Sequence, residues 1–236
     1  MTLTRLYPGA TESIDGDDRE RLLELYRPAH AEWLRLNLIA TITGGAGGSD
    51  GTSETLSNPV DRRILGVIRE LADVVLIGAE SLRAEGYQHP RRSRLAVVTL
   101  SGNLTGHRIE APEGAAPIVL CPSTASARVL ADLPGAEIIE LEAAAAGIPA
   151  DSIISALRTR GHRSIVCEGG PSLAAQLLDA GLVDEFCLST SPIIGGVPFP
   201  VTGRAAIDER SATLTQLLTD GASGLYARWG LSRQTR

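Results

Sequence analysis

The chain has 236 residues, of which 43% are hydrophobic and 21% charged, a composition ordinary for a soluble globular protein with one α/β domain or two small ones. Its net charge of −6 argues against binding to a nucleic-acid backbone, and no apolar run approaches the roughly 18 residues of a membrane span. The start of the chain lacks the apolar centre of a signal peptide, and the three cysteines lie in or beside apolar runs. These features predict a cytoplasmic protein with reduced thiols, no metal site, and no nucleic-acid or membrane partner.

The first part of the chain predicts a short helix, a strand and a long loop. Residues 1–31 are expected to form an N-terminal extension with a helix over residues 15–26, and residues 32–236 a single α/β domain. Residues 33–40 form an apolar run typical of a buried strand. Residues 41–53 contain five glycines and predict a loop. Because this loop follows a core strand directly, we favour a functional role for it over a surface excursion.

A helix is predicted to start at Asn58 and Pro59, because a capping side chain and a proline are favoured at helix starts. Its buried stripe consists of four apolar residues at helical spacing, Val60, Ile64, Ile68 and Leu71. Arg62 and Arg69 flank this stripe about two turns apart. Their spacing alone favours solvated surface charges, and a phosphate or carboxylate partner is the alternative.

The rest of the chain alternates between strand and helix patterns. The next strand is predicted over residues 73–78, with a helix over residues 79–85 directly after it. Further strands are predicted over residues 95–100, 117–121, 136–141, 163–167 and 184–191. Further helices are predicted over residues 123–133 and 151–160, and a final antiparallel strand pair over residues 213–218 and 225–231. This alternation predicts an α/β fold, with a mostly parallel central sheet flanked by helices and a C-terminal antiparallel strand pair.

A glycine-rich turn follows the predicted strand that ends at Cys167. The turn comprises residues 168–172, and apolar residues at helical spacing come after it. Glycines let the backbone approach a ligand closely, and the free N–H groups of a helix start attract phosphate. In open α/β sheets, ligands bind at the carboxyl ends of the strands. The turn therefore predicts an anion site, and a turn that needs glycine only for its geometry is the alternative.

Three blocks of sequence, in this order and spacing, resemble the pyrimidine reductases of riboflavin biosynthesis. The first block covers residues 34–44, the helix over residues 56–71, and residues 72–87. The second is Glu-Gly-Gly-Pro-Ser-Leu over residues 168–173 with Gly-Leu-Val-Asp-Glu over residues 181–185, and the third is residues 192–196. The resemblance extends over most of the chain and implies a dihydrofolate-reductase-like fold. It also implies a homodimer.

The resemblance implies an activity as well as a fold. Members of the family use NADPH to reduce the ribosyl group of 5-amino-6-(5-phosphoribosylamino)uracil to the ribityl form, so a phosphorylated pyrimidine is the expected substrate. Two alternatives remain, a reductase of another pterin- or pyrimidine-like substrate and a dinucleotide-binding relative without turnover. The zinc motif of the deaminase that is sometimes fused to this domain is absent from the sequence.

Site residues follow from the same resemblance, position by position. Glu168 and Thr43 occupy catalytic positions, and Ser53, Arg69 and Glu168 occupy substrate-binding positions. Eight residues occupy cofactor-binding positions: Gly78, Ser81, Glu85, Ser101, Gly169, Gly170, Pro171 and Ser172.

Two positions depart from the family pattern. Thr43 stands where the family has an aspartate, and a threonine cannot hold a negative charge or act as a base near neutral pH. Glu80 stands where the family has a glycine, and it brings a carboxylate to the helix start that a pyrophosphate would approach. Repulsion there would cost on the order of 1 kcal/mol or more, unless the side chain points away.

Overall fold

The computed structural model describes residues 2–87, 89–110, 114–145, 147–197, 199–204 and 206–232. The strands in this part of the chain are β1 Thr2–Tyr7, β2 Glu12–Asp15, β3 Trp33–Thr41, β4 Val74–Gly78, β5 Arg94–Val98, β6 Ile118–Cys121, β7 Glu137–Glu140, β8 Ser164–Cys167, β9 Glu185–Ser191, β10 Ala212–Asp220 and β11 Leu225–Leu231. The helices are α1 Arg19–Tyr26, α2 Pro59–Glu70, α3 Ala79–Ala84, α4 Ser123–Asp132, α5 Ala150–Thr159 and α6 Pro171–Asp179.

All eleven of these strands belong to one sheet, in the order β2-β1-β10-β11-β9-β3-β8-β4-β5-β6-β7. Neighbouring strands are parallel from β9 through β3 to β7. They are antiparallel from β9 through β11 to β2. The predicted fold class is therefore confirmed: a mostly parallel sheet with a C-terminal antiparallel pair. Strand β8 lies between β3 and β4, which places three strand ends side by side.

The parallel strands are apolar because helices cover both faces of the sheet. In β4, Val75 and Ile77 pack into the apolar cluster under α1, α2, α3 and α4. The alternate residues Val74 and Leu76 pack into the second cluster, under α5 and α6. All four side chains are fully buried, as expected where successive residues of a strand point to opposite faces.

The N-terminal segment contains more structure than its sequence indicated. Strand β1 pairs with both β2 and β10, so residues 2–15 extend the sheet. The predicted helix begins at Arg19 instead of residue 15, because Asp18 caps it by accepting a hydrogen bond from the Arg21 N–H. Polar residues dominate β1 and β2, so the strand state of β1 depends on pairing with β10, that of β2 depends on pairing with β1, and neither depends on a local apolar pattern. The boundary between residues 31 and 32 stays a prediction, and residues 1 and 233–236 lie outside the described residues.

Candidate active site

A cavity of about 610 Å³ opens at the carboxyl ends of β3, β4 and β8. Its walls come from β3, α2, α3 and the turn between β8 and α6. The polar side chains among its lining residues are Asn37, Ser53, Glu54, Ser57, Asp61, Arg62, Arg69, Ser81, Glu85, Tyr87 and Glu168. The position agrees with the rule that ligands of α/β sheets bind where the strands end.

The two strand-to-helix junctions meet at this cavity. The backbone N–H of Gly78, at the end of β4, donates to the carbonyl of Gly169, with the N and O atoms 2.9 Å apart. A Cβ atom on Gly170 would lie 2.7 Å from the Ser81 hydroxyl oxygen, closer than real Cβ contacts. Gly169 has a φ angle of +102°, which a residue with a side chain rarely adopts. Glycine at 169 thus allows the two junctions to form a single wall, and glycine at 170 leaves the Ser81 hydroxyl in place beside it.

An ion pair occupies the centre of the site. The Glu168 carboxylate accepts hydrogen bonds from Nε and Nη2 of Arg69, each 2.7 Å long, and a further bond from the Tyr87 hydroxyl. Arg69 Nη2 also lies 2.8 Å from that hydroxyl. The Glu168 side chain is only 6% exposed, while that of Arg69 is 25% exposed. Glu168 therefore sits in the wall as a carboxylate held in a fixed orientation by its cation.

Tyr87 and Arg69 have shifted pKa values that keep both groups protonated. Burial, reinforced by the negative charge of Glu168, raises the pKa of Tyr87 well above its ordinary value. Burial alone would lower the pKa of Arg69, but the charge and hydrogen bonds of Glu168 raise it. The sequence placed Tyr87 only within the block of residues 72–87 that resembles the reductase family, and it did not predict the contact of Tyr87 with Glu168.

Ser53 and Glu85 connect the glycine-rich loop to the end of α3. The backbone N–H of Ser53 lies 3.2 and 3.3 Å from the two carboxylate oxygens of Glu85. The Ser53 hydroxyl donates to the same carboxylate at 2.9 Å. Both residues line the cavity, so a residue predicted to bind substrate and one predicted to bind cofactor contact each other.

Thr43 and Glu80, the two departures from the family pattern, are exposed and are not among the residues that line the cavity. The Thr43 hydroxyl lies 3.0 Å from the Thr41 hydroxyl and accepts a hydrogen bond from the Gly195 N–H at 3.2 Å. Thr43 therefore joins the loop after β3 to the loop after β9. Its catalytic role stays a prediction.

Ser101 and Ser172 are also exposed and lie outside the cavity lining. Ser101 follows β5, the strand next to β4, and its hydroxyl accepts a 3.3 Å hydrogen bond from the Asn103 N–H. Ser172 is the second residue of α6, directly after Pro171, which does line the cavity. The predicted cofactor positions therefore extend from the cavity wall to the neighbouring surface at the strand ends.

Asp61 is a cavity residue that sequence reasoning missed. It is half-buried in the first turn of α2, and the Ser57 hydroxyl donates to its Oδ2 at 2.7 Å. Burial raises the pKa of Asp61, although hydrogen bonds from the Ser189 and Ser57 hydroxyls and the charge of Arg62 oppose the shift. An acidic residue in the first turn of a helix is common, because it interacts favourably with the helix dipole, so its presence alone does not indicate a function. The signal was its spacing, because Asp61, Leu65 and Arg69 recur every four residues and all line the cavity.

Taken together, a polar cavity at the ends of parallel strands, bounded by two glycine junctions, defines an α/β protein with a small-molecule site. The sequence model of the RibD C-terminal domain matches residues 32–223. The chain therefore belongs to this family, the pyrimidine reductases of riboflavin biosynthesis. No protein in the curated set matches the chain in sequence.

Solved structures support the fold. A pyrimidine reductase-like protein from Corynebacterium diphtheriae is 23% identical, with a TM-score of 0.78 over 92% of this chain and 99% of that one. The diaminohydroxyphosphoribosylaminopyrimidine deaminase/5-amino-6-(5-phosphoribosylamino)uracil reductase from Thermotoga maritima is 19% identical, with a TM-score of 0.70 over 85% of this chain and 57% of that one. The riboflavin biosynthesis reductase of Saccharomyces cerevisiae is 13% identical, with a TM-score of 0.64 over 92% and 100%.

These similarities confirm the predicted α/β fold class, which the chain shares with the three proteins. They concern the fold alone, because all three identities are low. Across the described ranges, none of the helices is both long enough and apolar enough to cross a membrane.

Proposed function

We propose that the protein is an NADPH-dependent reductase that converts the ribosyl group of 5-amino-6-(5-phosphoribosylamino)uracil to the ribityl form, or a close paralogue of that enzyme. The observation that carries the proposal is the contact between the junctions at Gly78 and Gly169, which form one wall of a cavity that also contains Arg69 and Glu168. A reductase needs such a site, because donor and acceptor must be held together away from water.

The glycine turn fits the phosphates of a dinucleotide. Gly170 precedes α6 and provides no side-chain cap, so the N–H groups of the first turn are not taken by a capping side chain. Gly169, Gly170, Pro171 and Ser172 would hold the phosphates there. When bound, the cofactor would supply a hydride to the substrate.

Other cofactor contacts would come from the ends of β4 and β5. Ser81 and Glu85 would contact the cofactor beside Gly78, and Ser101 would contact its adenosine end. Glu80 is solvent-exposed, so water and salt would screen its carboxylate from the phosphates.

The opposite wall of the cavity suits a polar substrate. Ser53, Arg69 and Glu168 would bind it, with the Glu168 carboxylate accepting hydrogen bonds and the Arg69 guanidinium opposing negative charge. Arg62 also lines the cavity, and its ion pair with Glu54 is exposed on both sides, at 53% and 69%. Because such a surface pair is weak, a substrate phosphate would readily replace Glu54.

One experiment separates the candidate functions. NADPH and NADH are titrated into the protein by fluorescence, and the loss of reduced-cofactor absorbance is then followed after addition of the ribosylaminouracil phosphate. NADPH oxidation with this substrate supports the proposal. Oxidation only with another pterin- or pyrimidine-like heterocycle would contradict the proposed substrate.

A second candidate is a dinucleotide-binding protein without turnover. The observation that favours it is Thr43, which replaces the family aspartate and lies outside the cavity lining. Tight NADPH binding without oxidation of the cofactor by any of these substrates would establish this alternative.

We also propose a homodimer, on the strength of the family resemblance. The C-terminal antiparallel strands are candidates for the dimer contact, and within the chain β10 pairs with β1 and β11, while β11 also pairs with β9. Because neither strand has a free edge, a dimer contact there would use the face of the sheet. Light scattering coupled to gel filtration should give twice the chain mass, and a monomer across the accessible concentration range would contradict the proposal.

A further inference from the structure

The cavity contains two buried or half-buried carboxyl groups in different surroundings. Glu168 is ion-paired with Arg69 through two hydrogen bonds. Asp61 lies on the same helix as Arg69, eight residues earlier, which is about 12 Å along the axis. Its hydrogen bond comes from the hydroxyl of Ser57 instead of from a cation. Different environments separate the pKa values of two acids in one site, and this separation commonly indicates which of them donates a proton.

Asp61 is not needed to cap its helix. The Asn58 side-chain oxygen already accepts hydrogen bonds from the backbone N–H groups of Val60 and Asp61, at 2.8 and 2.9 Å. The Asp61 carboxyl is therefore available to a ligand in the cavity that it lines.

Charged and titratable groups from several elements act on Asp61. Arg62 on α2 favours its ionised form, while Glu168 after β8 opposes ionisation. Tyr226 on β11 interacts with it electrostatically, and the pKa of that tyrosine is itself raised, mainly by burial. Burial is the largest influence, and it favours the protonated form of Asp61.

We propose that Asp61 is the acid of this site and donates its proton to the substrate nitrogen next to the carbon that accepts the hydride. This inference rests on the proposed function. In the ring-opened form of the substrate, which is an imine, the carbon would gain the hydride that a bound cofactor would supply, and the nitrogen would gain the Asp61 proton. The carbon–nitrogen double bond becomes a single bond, and Asp61 is left as a carboxylate. Solvent then returns a proton to Asp61 through the mouth of the cavity.

The test compares wild type, Asp61→Asn and a matched control, Asp151→Asn, which removes an exposed carboxylate from the first turn of α5. Asparagine keeps the shape of the side chain but has no carboxyl proton. We expect Asp61→Asn to lower kcat about 10²- to 10⁴-fold, the usual contribution of general acid catalysis. Wild-type kcat should fall at high pH as Asp61 loses its proton; Asp61→Asn should abolish this fall, whereas Asp151→Asn should leave both the rate and the fall unchanged.

A second variant tests the assignment without removing the carboxyl group. The Ser57 hydroxyl donates to Asp61 and favours its ionised form. Ser57→Ala should therefore raise the pKa of Asp61, and the high-pH fall in kcat should move to higher pH. A purely structural role of Asp61 would not produce this shift.

Infrared difference spectroscopy gives a readout that does not depend on turnover. The wild-type protein without ligands should show the carbonyl band of a protonated carboxyl that disappears as pH rises above the ordinary range of an aspartate. Asp61→Asn should lack the band, and Asp151→Asn should retain it. Absence of the band from wild type, or a kcat of Asp61→Asn within about threefold of wild type, overturns the proposal. If wild type does not oxidise NADPH with the substrate, the proposed function fails, and the band alone then decides whether Asp61 holds a proton.

Discussion

Removal of the Arg69 guanidinium is the sharpest test of the central ion pair, because it leaves the Glu168 carboxylate buried without its cation. Breaking a fully buried pair costs about 3–5 kcal/mol. The Arg69 side chain is 25% exposed, so water partly screens the remaining charge. We therefore expect Arg69→Met to lower the free energy of unfolding by about 2–3 kcal/mol. In urea, with an m-value of about 2 kcal/mol per M, the unfolding midpoint should fall by about 1 M.

The double variant distinguishes an ion pair from simple loss of packing. In Arg69→Met/Glu168→Gln, no buried charge remains unpaired, so its loss of stability should be smaller than the sum of the two single losses. We expect a coupling free energy of at least about 1 kcal/mol, as for residues in direct contact. Additivity of the single variants to within about 0.5 kcal/mol would refute the reasoning.

Arg62→Met provides the control on the same helix. Arg62 pairs with Glu54, and both side chains are largely exposed. Its loss should change the free energy of unfolding by no more than about 0.5 kcal/mol. A loss as large as that of Arg69→Met would mean that helix α2 is sensitive to any charge removal.

Three further predictions concern cofactor binding, catalysis and pH. Gly170→Ala puts a Cβ atom 2.7 Å from the Ser81 hydroxyl, which must then turn away and lose its proposed contact with the cofactor, so NADPH should bind about 1 kcal/mol more weakly in a fluorescence titration. Gly221→Ala, with open space around it, should leave the affinity unchanged, and equal affinities of the two variants would contradict the fit of the turn. Thr43→Asp should raise kcat on the order of tenfold if the missing family carboxylate limits the rate, and an unchanged kcat would remove Thr43 from the catalytic positions. The pKa of Asp61 is higher in the folded than in the unfolded state. Its protonated form therefore adds to the free energy of unfolding below about pH 4, and this contribution is lost as pH rises through the folded-state pKa. Asp61→Asn does not titrate there, so its stability relative to wild type in urea should increase with pH over that window, and a constant difference would contradict the shifted pKa.

Strands β4 and β8 were predictable because each is a short apolar run with a glycine at its end or within two residues after it. The ends of β4 and β8 matched the predicted strand ends at residues 78 and 167. Their backbone contact at Gly78 and Gly169 forms because β4 and β8 are neighbours in the sheet. The N-terminal strands β1 and β2 had no such pattern: β1 pairs with β10, some 200 residues later in the chain, and β2 pairs with β1.

The side-chain contacts of the site were much less predictable. Arg69 and Glu168 are 99 positions apart, and Ser53 and Glu85 are 32 apart, so no local pattern relates the partners. The sheet order brings them together, because β8 lies between β3 and β4. From spacing alone, Arg69 was expected to be a surface charge, and only the resemblance indicated otherwise.

The different surroundings of Glu168 and Asp61 indicate different roles for the two carboxyl groups of the cavity. Arg69 and Tyr87 donate hydrogen bonds to the Glu168 carboxylate and fix its orientation, which suits orientation of a ligand. Asp61 accepts a hydrogen bond from the neutral Ser57 hydroxyl and is shifted towards its protonated form, which suits transfer of a proton. A threonine at position 43 is then compatible with turnover, because the proton need not come from the loop after β3.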